Sequence, residues 1–277
     1  MEKVGDVMGE KDLIKLEKKN KKQKEKEELK ELKKENSFLD NIKKKLLKLK
    51  KKEKKKIIKE KHRTLNEPPR LYVGEEIGNS ISHGAGCLIN ICCFILMLLF
   101  SDTPMKMMAS FFYGISMIVL MLNSCLYHAF KSGTTVKRLW RRFDYLSIYL
   151  LIGGTYAPIF LVNIGGVLGL VLFIVQWAVI TLGVVLCSVF GPGRFKWIHF
   201  SLYFVIGWAG LMIIPKWIVN DLPLMMFILG GGLMYSLGMI PFSIKHKRNS
   251  HFLWHIFVLL GCFVQWLGIF IYIYMGK

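Results

Sequence analysis

Seven long apolar runs follow one another in the later part of this 277-residue sequence. They lie near residues 82–100, 108–130, 144–162, 166–190, 197–214, 223–243 and 253–275. A helix needs about 20 mostly apolar residues to cross the hydrocarbon core of a bilayer. The runs also lack the alternation of lipid-facing and lumen-facing residues that a membrane β-barrel requires. The sequence therefore predicts an all-α membrane protein built as a seven-transmembrane helix bundle.

The charged residues divide the chain into two parts. Residues 1–70 contain 26 of the 39 Lys and Arg and 14 of the 19 Asp and Glu. Such a stretch cannot bury enough apolar surface to fold alone, so a disordered, Lys-rich tail with transient helix is expected at residues 1–70. The alternative is that the tail binds an anionic lipid leaflet. Nucleic acid is not an expected partner, because the tail has a single aromatic residue, Phe38, and no stacking platform.

The orientation of the membrane domain, residues 71–277, follows from the positive charges between the runs. If the N-terminal tail is cytoplasmic, the cytoplasmic connectors (131–143, 191–196 and 244–250) hold ten Lys and Arg, and the opposite side holds three. Positively charged loops remain in the cytoplasm. The sequence therefore predicts a cytoplasmic N-terminus and a C-terminus on the other side.

Five polar residues within or beside the runs are predicted to meet near the inner leaflet. Ser124 and His128 stand four residues apart at the cytoplasmic end of the second span, and therefore share a helix face. Asp144 begins the third span on the same side. His251 and His255, again four apart, begin the seventh span there. Ionisable groups inside a membrane are costly, and they usually mark a functional site.

Three histidines at one depth are typical of a catalytic zinc site, which keeps a coordination position for water. Asp144 could orient or deprotonate that water, and Ser124 could position it or donate to an oxyanion. A histidine pair four apart can also be a simple feature of a helix end. The third histidine and the nearby Asp144 favour the metal site, since such groups would be costly if unpaired.

A further polar group precedes the first apolar run. It consists of Glu75, Glu76, Asn79 and His83, and the last three follow helical spacing. These side chains could cap the helix and lie at the membrane interface, or they could form an outer layer around the metal site. The sequence leaves both alternatives open.

In these segments the chain resembles the hemolysin III family, within the progestin and adipoQ receptor group. The resemblance lies in four regions, in order along the chain: Glu75 to Gly84, Ser124 to His128, Asp144 to Pro158, and His251 to Val258. Together they cover the membrane domain and not the tail. The late part of the last span departs from the family, because Gln265 and Trp266 stand where members often have another histidine.

The resemblance implies a seven-helix fold with zinc near the inner leaflet. Its metal ligands would be His128, His251 and His255, while Asp144 would hold the zinc-bound water and Ser124 would support the site. The wider superfamily includes alkaline ceramidases, so the resemblance suggests a zinc-dependent lipid amide hydrolase. Two alternatives stay open: a signalling receptor with structural zinc, and a hemolysin that permeabilises membranes. Membrane lipids are the expected partners in each case, as substrate, ligand or surroundings.

Overall fold

The computed structural model describes residues 10–244 and 248–276, and every regular element in that part of the chain is helical. The first element is a tail helix of 56 residues, Glu10–Leu65. Contacts group the chain into a unit that ends at Lys61 and a unit that begins at His62. The many Lys, Glu and Leu residues of this helix are good helix formers, in keeping with the helix expected within the tail. Its described side chains are exposed, so it has no core of its own.

Seven helical segments follow, and each is long and apolar enough to cross a membrane. We number them spans one to seven: Val73–Leu99, Pro104–Ala129, Thr135–Ile164, Gly166–Phe190, Lys196–Asn220, Leu222–Ser243 and Ser250–Tyr274. Spans three and seven end in short π-helical turns, Ile159–Ile164 and Phe270–Tyr274. Span five is interrupted by a 3₁₀ turn, Ala209–Ile213. The chain is therefore an integral, multi-pass membrane protein, as predicted.

Two spans begin about nine residues earlier than their apolar runs. Span one starts at Val73 and not near residue 82, and span three starts at Thr135 and not near 144. The apolar run marks only the part of a helix that suits lipid, whereas the helix continues through polar residues that pack against neighbouring helices. Most of the connector predicted at 131–143 is consequently helix. Lys137, counted there as a loop charge, is completely buried.

Neighbouring spans pack mainly in sequence order, and spans one and seven close the arrangement by packing against each other. Spans two and three come especially close at Gly154, where a Cβ atom would collide with the hydroxyl of Ser116. Small residues permit such close approach between membrane helices. This packing brings the starts of spans one, three and seven to the end of span two.

Candidate metal centre

Three histidine side chains meet where span two ends and span seven begins. His128 and His255 are buried, and His251 is half-buried. One ring nitrogen from each lies within 4.8 Å of the others. The ring centroid of His128 lies 5.2 Å from that of His251 and 4.7 Å from that of His255. The structure thus brings together the three predicted ligands, and small side-chain rotations would give them the roughly 3.4 Å spacing of tetrahedral zinc ligands.

Two ring nitrogens of these histidines are available to a ligand. Nε2 of His128 and Nδ1 of His255 are buried without a hydrogen-bond partner among the described residues. A buried polar atom without a partner is costly, so such atoms are uncommon unless something else satisfies them. A metal ion would satisfy both. The donor set therefore fits a metal that prefers imidazole ligands, such as zinc.

The carboxylate of Glu76, on span one, determines which ring nitrogen of His128 carries the proton. Its Oε2 lies 2.6 Å from Nδ1 of His128, so that nitrogen carries the proton and donates to the carboxylate. The lone pair of a neutral ring is then on Nε2, the nitrogen that is free of other partners. Asn79 Nδ2 is also near Nδ1 of His128, at 3.4 Å, but the shorter contact with Glu76 dominates. A carboxylate behind a ligating histidine is the usual second layer of a metal site.

A buried lysine holds Glu76 from the other side. Nζ of Lys137, on span three, lies 2.8 Å from Oε1 of Glu76. It also donates to the carbonyl of Phe130 at 3.1 Å and lies 4.8 Å from the ring centre of Tyr127. A buried ammonium group is tolerated only when it is paired and hydrogen-bonded. Lys137, Glu76 and His128 therefore form one chain of charged and polar contacts across three spans.

Span one contacts the other two histidines as well. Oε1 of Glu75 accepts from the backbone N–H of His251 at 3.0 Å, in the first turn of span seven. His83 lies against His255 with ring centroids 4.0 Å apart, and its Nε2 donates to the His255 carbonyl at 3.4 Å. Of the two alternatives for the polar group on span one, these contacts favour an outer layer around the three histidines.

Asp144 and Ser124 form a pair beside the histidines. Ser124 and His128 both lie close enough to the carboxyl group of Asp144 to influence its charge. Ser124 is buried and Asp144 is half-buried. Asp144 was predicted at the start of span three, and it lies nine residues inside that helix. The structure thus brings all five predicted site residues into one region.

One residue that contributes to the site was not predicted from the sequence. Lys137 was counted only as a positive loop charge, although it stands seven residues before Asp144 and so on the same helix face. That spacing was the available signal. Gln265, where the family often has a histidine, donates to the carbonyl of Ile228 at 3.1 Å and is not among the grouped histidines.

The fold and the site define a class: a seven-helix membrane protein with a buried three-histidine group at one end of the bundle. The sequence comparisons narrow this class. The model of the haemolysin-III-related family matches residues 71–266. The chain belongs to that family.

Named relatives agree with this membership. The chain is 32% identical over 207 residues to Hemolysin-3 of Bacillus cereus, an alignment that covers 73% of this chain and 93% of that protein. Hemolysin-3 homolog of Bacillus subtilis (strain 168) is 32% identical over 204 residues, covering 72% of this chain and 95% of the relative. Monocyte to macrophage differentiation factor of Homo sapiens is 24% identical over 179 residues, covering 63% and 74%. The matches to this factor place the chain's relatives in both bacteria and mammals.

Proposed function

We propose that this protein is a zinc-dependent hydrolase that cleaves an amide or ester bond of a membrane lipid. The observation that carries the proposal is the three-histidine group beside Asp144 and Ser124, with two buried ring nitrogens that have no partner among the described residues. His128, His251 and His255 would hold the ion. Zinc at such a site supplies a Lewis acid and makes water nucleophilic near neutral pH, because it lowers the pKa of water to about 7.

The residues around the histidines have separate roles in this proposal. Asp144 accepts the proton of the attacking water and returns it to the leaving group, as a carboxylate general base and acid. Ser124, which lies beside Asp144, would donate to the carboxylate and orient it toward the histidines. Glu76 keeps the proton of His128 on Nδ1, so that Nε2 faces the metal position. None of these steps needs a residue from outside the bundle.

A lipid is the substrate class that this location favours. The site lies at the ends of membrane spans, with His128 beside Tyr127 and His251 beside Phe242. A bond near the headgroup of a lipid reaches this depth while the acyl chains stay in hydrocarbon. His251 is half-buried while the other two histidines are buried, so a lipid would approach the group from the His251 side.

The test compares Asp144→Asn with the native chain, both purified in detergent and loaded with zinc. Lipid mixtures are incubated with each protein, and released fatty acids and amines are measured by mass spectrometry. We expect native turnover of at least one lipid, and an Asp144→Asn variant that keeps its zinc but is slower by roughly 100-fold or more. Equal turnover in the two proteins, or turnover in native chain stripped of metal, contradicts the proposal.

The names of the Bacillus relatives support a second candidate, membrane permeabilisation. Those proteins are hemolysins by name, and this chain covers more than nine tenths of each. Purified native protein in dye-loaded liposomes distinguishes the candidates. Dye release that persists in the His251→Ala/His255→Ala variant would favour permeabilisation, whereas intact liposomes together with lipid turnover would favour the hydrolase.

The resemblance to the progestin and adipoQ receptor group supports a third candidate, a receptor in which zinc is a structural brace. The Asp144→Asn variant separates this candidate from the hydrolase, because a structural zinc site does not need the carboxylate for turnover. A receptor would retain the binding of its ligand in that variant.

A further inference from the structure

The two halves of the tail helix carry different charge patterns. Residues 10–37 have eleven Lys and eight Asp or Glu, so the two signs nearly balance. Residues 38–58 have ten Lys and two acidic residues, Asp40 and Glu53. The excess of positive charge is therefore concentrated in the half that is closer in sequence to span one.

The same half carries an apolar stripe, which we define as Leu39, Ile42, Leu46 and Leu49. These residues are three, four and three positions apart, so they share one face of the helix. All four are at least 39% exposed. The opposite face is occupied by lysines with similar spacing, namely Lys44, Lys48, Lys51 and Lys55. An apolar stripe opposite a lysine face is typical of a helix that lies in a membrane interface.

A second copy of this chain is a poor occupant for the stripe. In a coiled coil along the stripe, the positions that flank it would be Lys43, Lys45, Lys50 and Lys52. Such flanking positions form salt bridges between partner helices, and here every pair would be Lys against Lys. The stripe also extends for fewer than the three to four heptads that a stable coiled coil usually needs.

An anionic bilayer surface complements both features of this segment. Lysines near an anionic leaflet are attracted to it, and apolar side chains between them insert below the headgroups. The segment is already tethered to a membrane, because the tail helix ends at Leu65 and the first membrane span begins at Val73. A lysine-rich segment tethered this closely to a bilayer meets lipid at a high local concentration.

We propose that residues 38–58 form an amphipathic helix that docks on anionic lipid headgroups, with the apolar stripe facing the bilayer, while residues 10–37 remain in solvent. This docking is independent of the metal centre and of any hydrolysis. The proposal gives the two halves of the tail different partners: phospholipid for the basic half and water for the balanced half.

Hydrogen exchange of the full-length chain tests the proposal. The protein is placed in nanodiscs of phosphatidylcholine alone, or of phosphatidylcholine with phosphatidylserine, and exchange is followed by mass spectrometry. In the anionic discs we expect exchange of residues 38–58 to slow by roughly tenfold or more, with residues 10–37 unchanged. High salt should remove the protection, since it screens the lysines.

A matched pair of variants separates the stripe from general positive charge. Ile42→Gln/Leu46→Gln removes two stripe residues and leaves every charge, and it should abolish most of the protection. Leu47→Gln/Ile58→Gln removes two exposed apolar residues outside the stripe, and it should keep the protection. Equal exchange in the two lipids, or equal loss in both variants, overturns the proposal. Protection that depends on protein number per disc and not on lipid charge also overturns it, in favour of a second copy.

Discussion

Both ends of the helix bundle contain polar side chains, but the two ends differ in how completely these side chains are hydrogen-bonded. We call them the histidine end, where the three-histidine group lies, and the opposite end, where spans three and seven finish. At the opposite end Asn163 uses its whole amide: Nδ2 donates to Asp221 at 3.2 Å, and Oδ1 accepts from the indole of Trp217 at 3.0 Å. Ser110 likewise donates to Tyr274 at 2.8 Å.

At the histidine end several buried atoms lack such partners. They are Nε2 of His128, Nδ1 of His255, Nδ1 of His83 and Oδ1 of Asn79, and all are unsatisfied within the described residues. Single unsatisfied atoms occur elsewhere, for example on Tyr113 and Trp266, but the histidine end concentrates them. A completed network contributes to stability, whereas a cluster of buried lone pairs is suited to an added ligand. The comparison indicates that the polar groups stabilise the fold at the opposite end and are suited to binding a ligand at the histidine end.

The largest effect that sharpens this comparison is expected from His128→Ala. Loss of one of three ligands should lower zinc affinity by more than about 100-fold, since even partners behind a ligand contribute roughly 10- to 100-fold. Elemental analysis of purified protein should then give about one zinc per native chain and almost none in the variant.

His199→Ala is the matched control for this loss. His199 is also completely buried, but its Nδ1 contacts the hydroxyl of Tyr149 at 2.8 Å, and it is outside the three-histidine group. This variant should keep its zinc. Zinc that survives in His128→Ala, or is lost equally in both variants, would remove the difference between the two ends.

The next effect concerns the contacts behind His128. Glu76→Gln keeps an oxygen that can accept from Nδ1 but loses the negative charge, so zinc affinity should fall by roughly 10- to 100-fold. Lys137→Met leaves Glu76 without its cationic partner and should also lower the affinity for zinc. Visible absorption of the cobalt-substituted protein reports the ligand geometry, and zinc competition reports the affinity.

The double variant Glu76→Gln/Lys137→Met shows whether the two residues act as one unit. If Lys137 acts through Glu76, the double variant should bind zinc about as well as Glu76→Gln alone, because the effects of substitutions within one network are not additive. Effects that add, with an unchanged cobalt spectrum in Lys137→Met, would make the lysine a local brace of Tyr127 and Phe130 and nothing more.

The sequence predicted the seven spans because a membrane demands long apolar runs, and that demand is local. It also predicted the three histidines, since the spacing of four in the seventh span and the common depth of the helix ends are properties of a one-dimensional pattern. The membrane domain and its three-histidine group were therefore predictable without the structure.

The partners of those histidines were less accessible. The contact between Glu76 and His128 joins residues 52 positions apart and depends on how spans one and two rotate against each other. The hydropathy pattern did not indicate that Lys137 is buried, because a lysine before an apolar run is normally a charge in a loop. Polar residues that extend a helix beyond its apolar run are the part of such a site that this kind of pattern leaves out.

The smallest effect is expected at the opposite end, from Asn163→Ala. The substitution leaves the buried indole N–H of Trp217 without its acceptor and should lower stability by about 1–2 kcal/mol, measured by thermal unfolding in detergent. Zinc content should not change, because the residue is distant along span three from the metal centre. Asn220→Ala is the control, since Asn220 is exposed and donates only to the carbonyl of Lys216, within its own helix. A loss of zinc in Asn163→Ala would show that the two ends are coupled. Unchanged stability would show that a completed network at this depth contributes little, and the contrast would then rest on the histidine end alone.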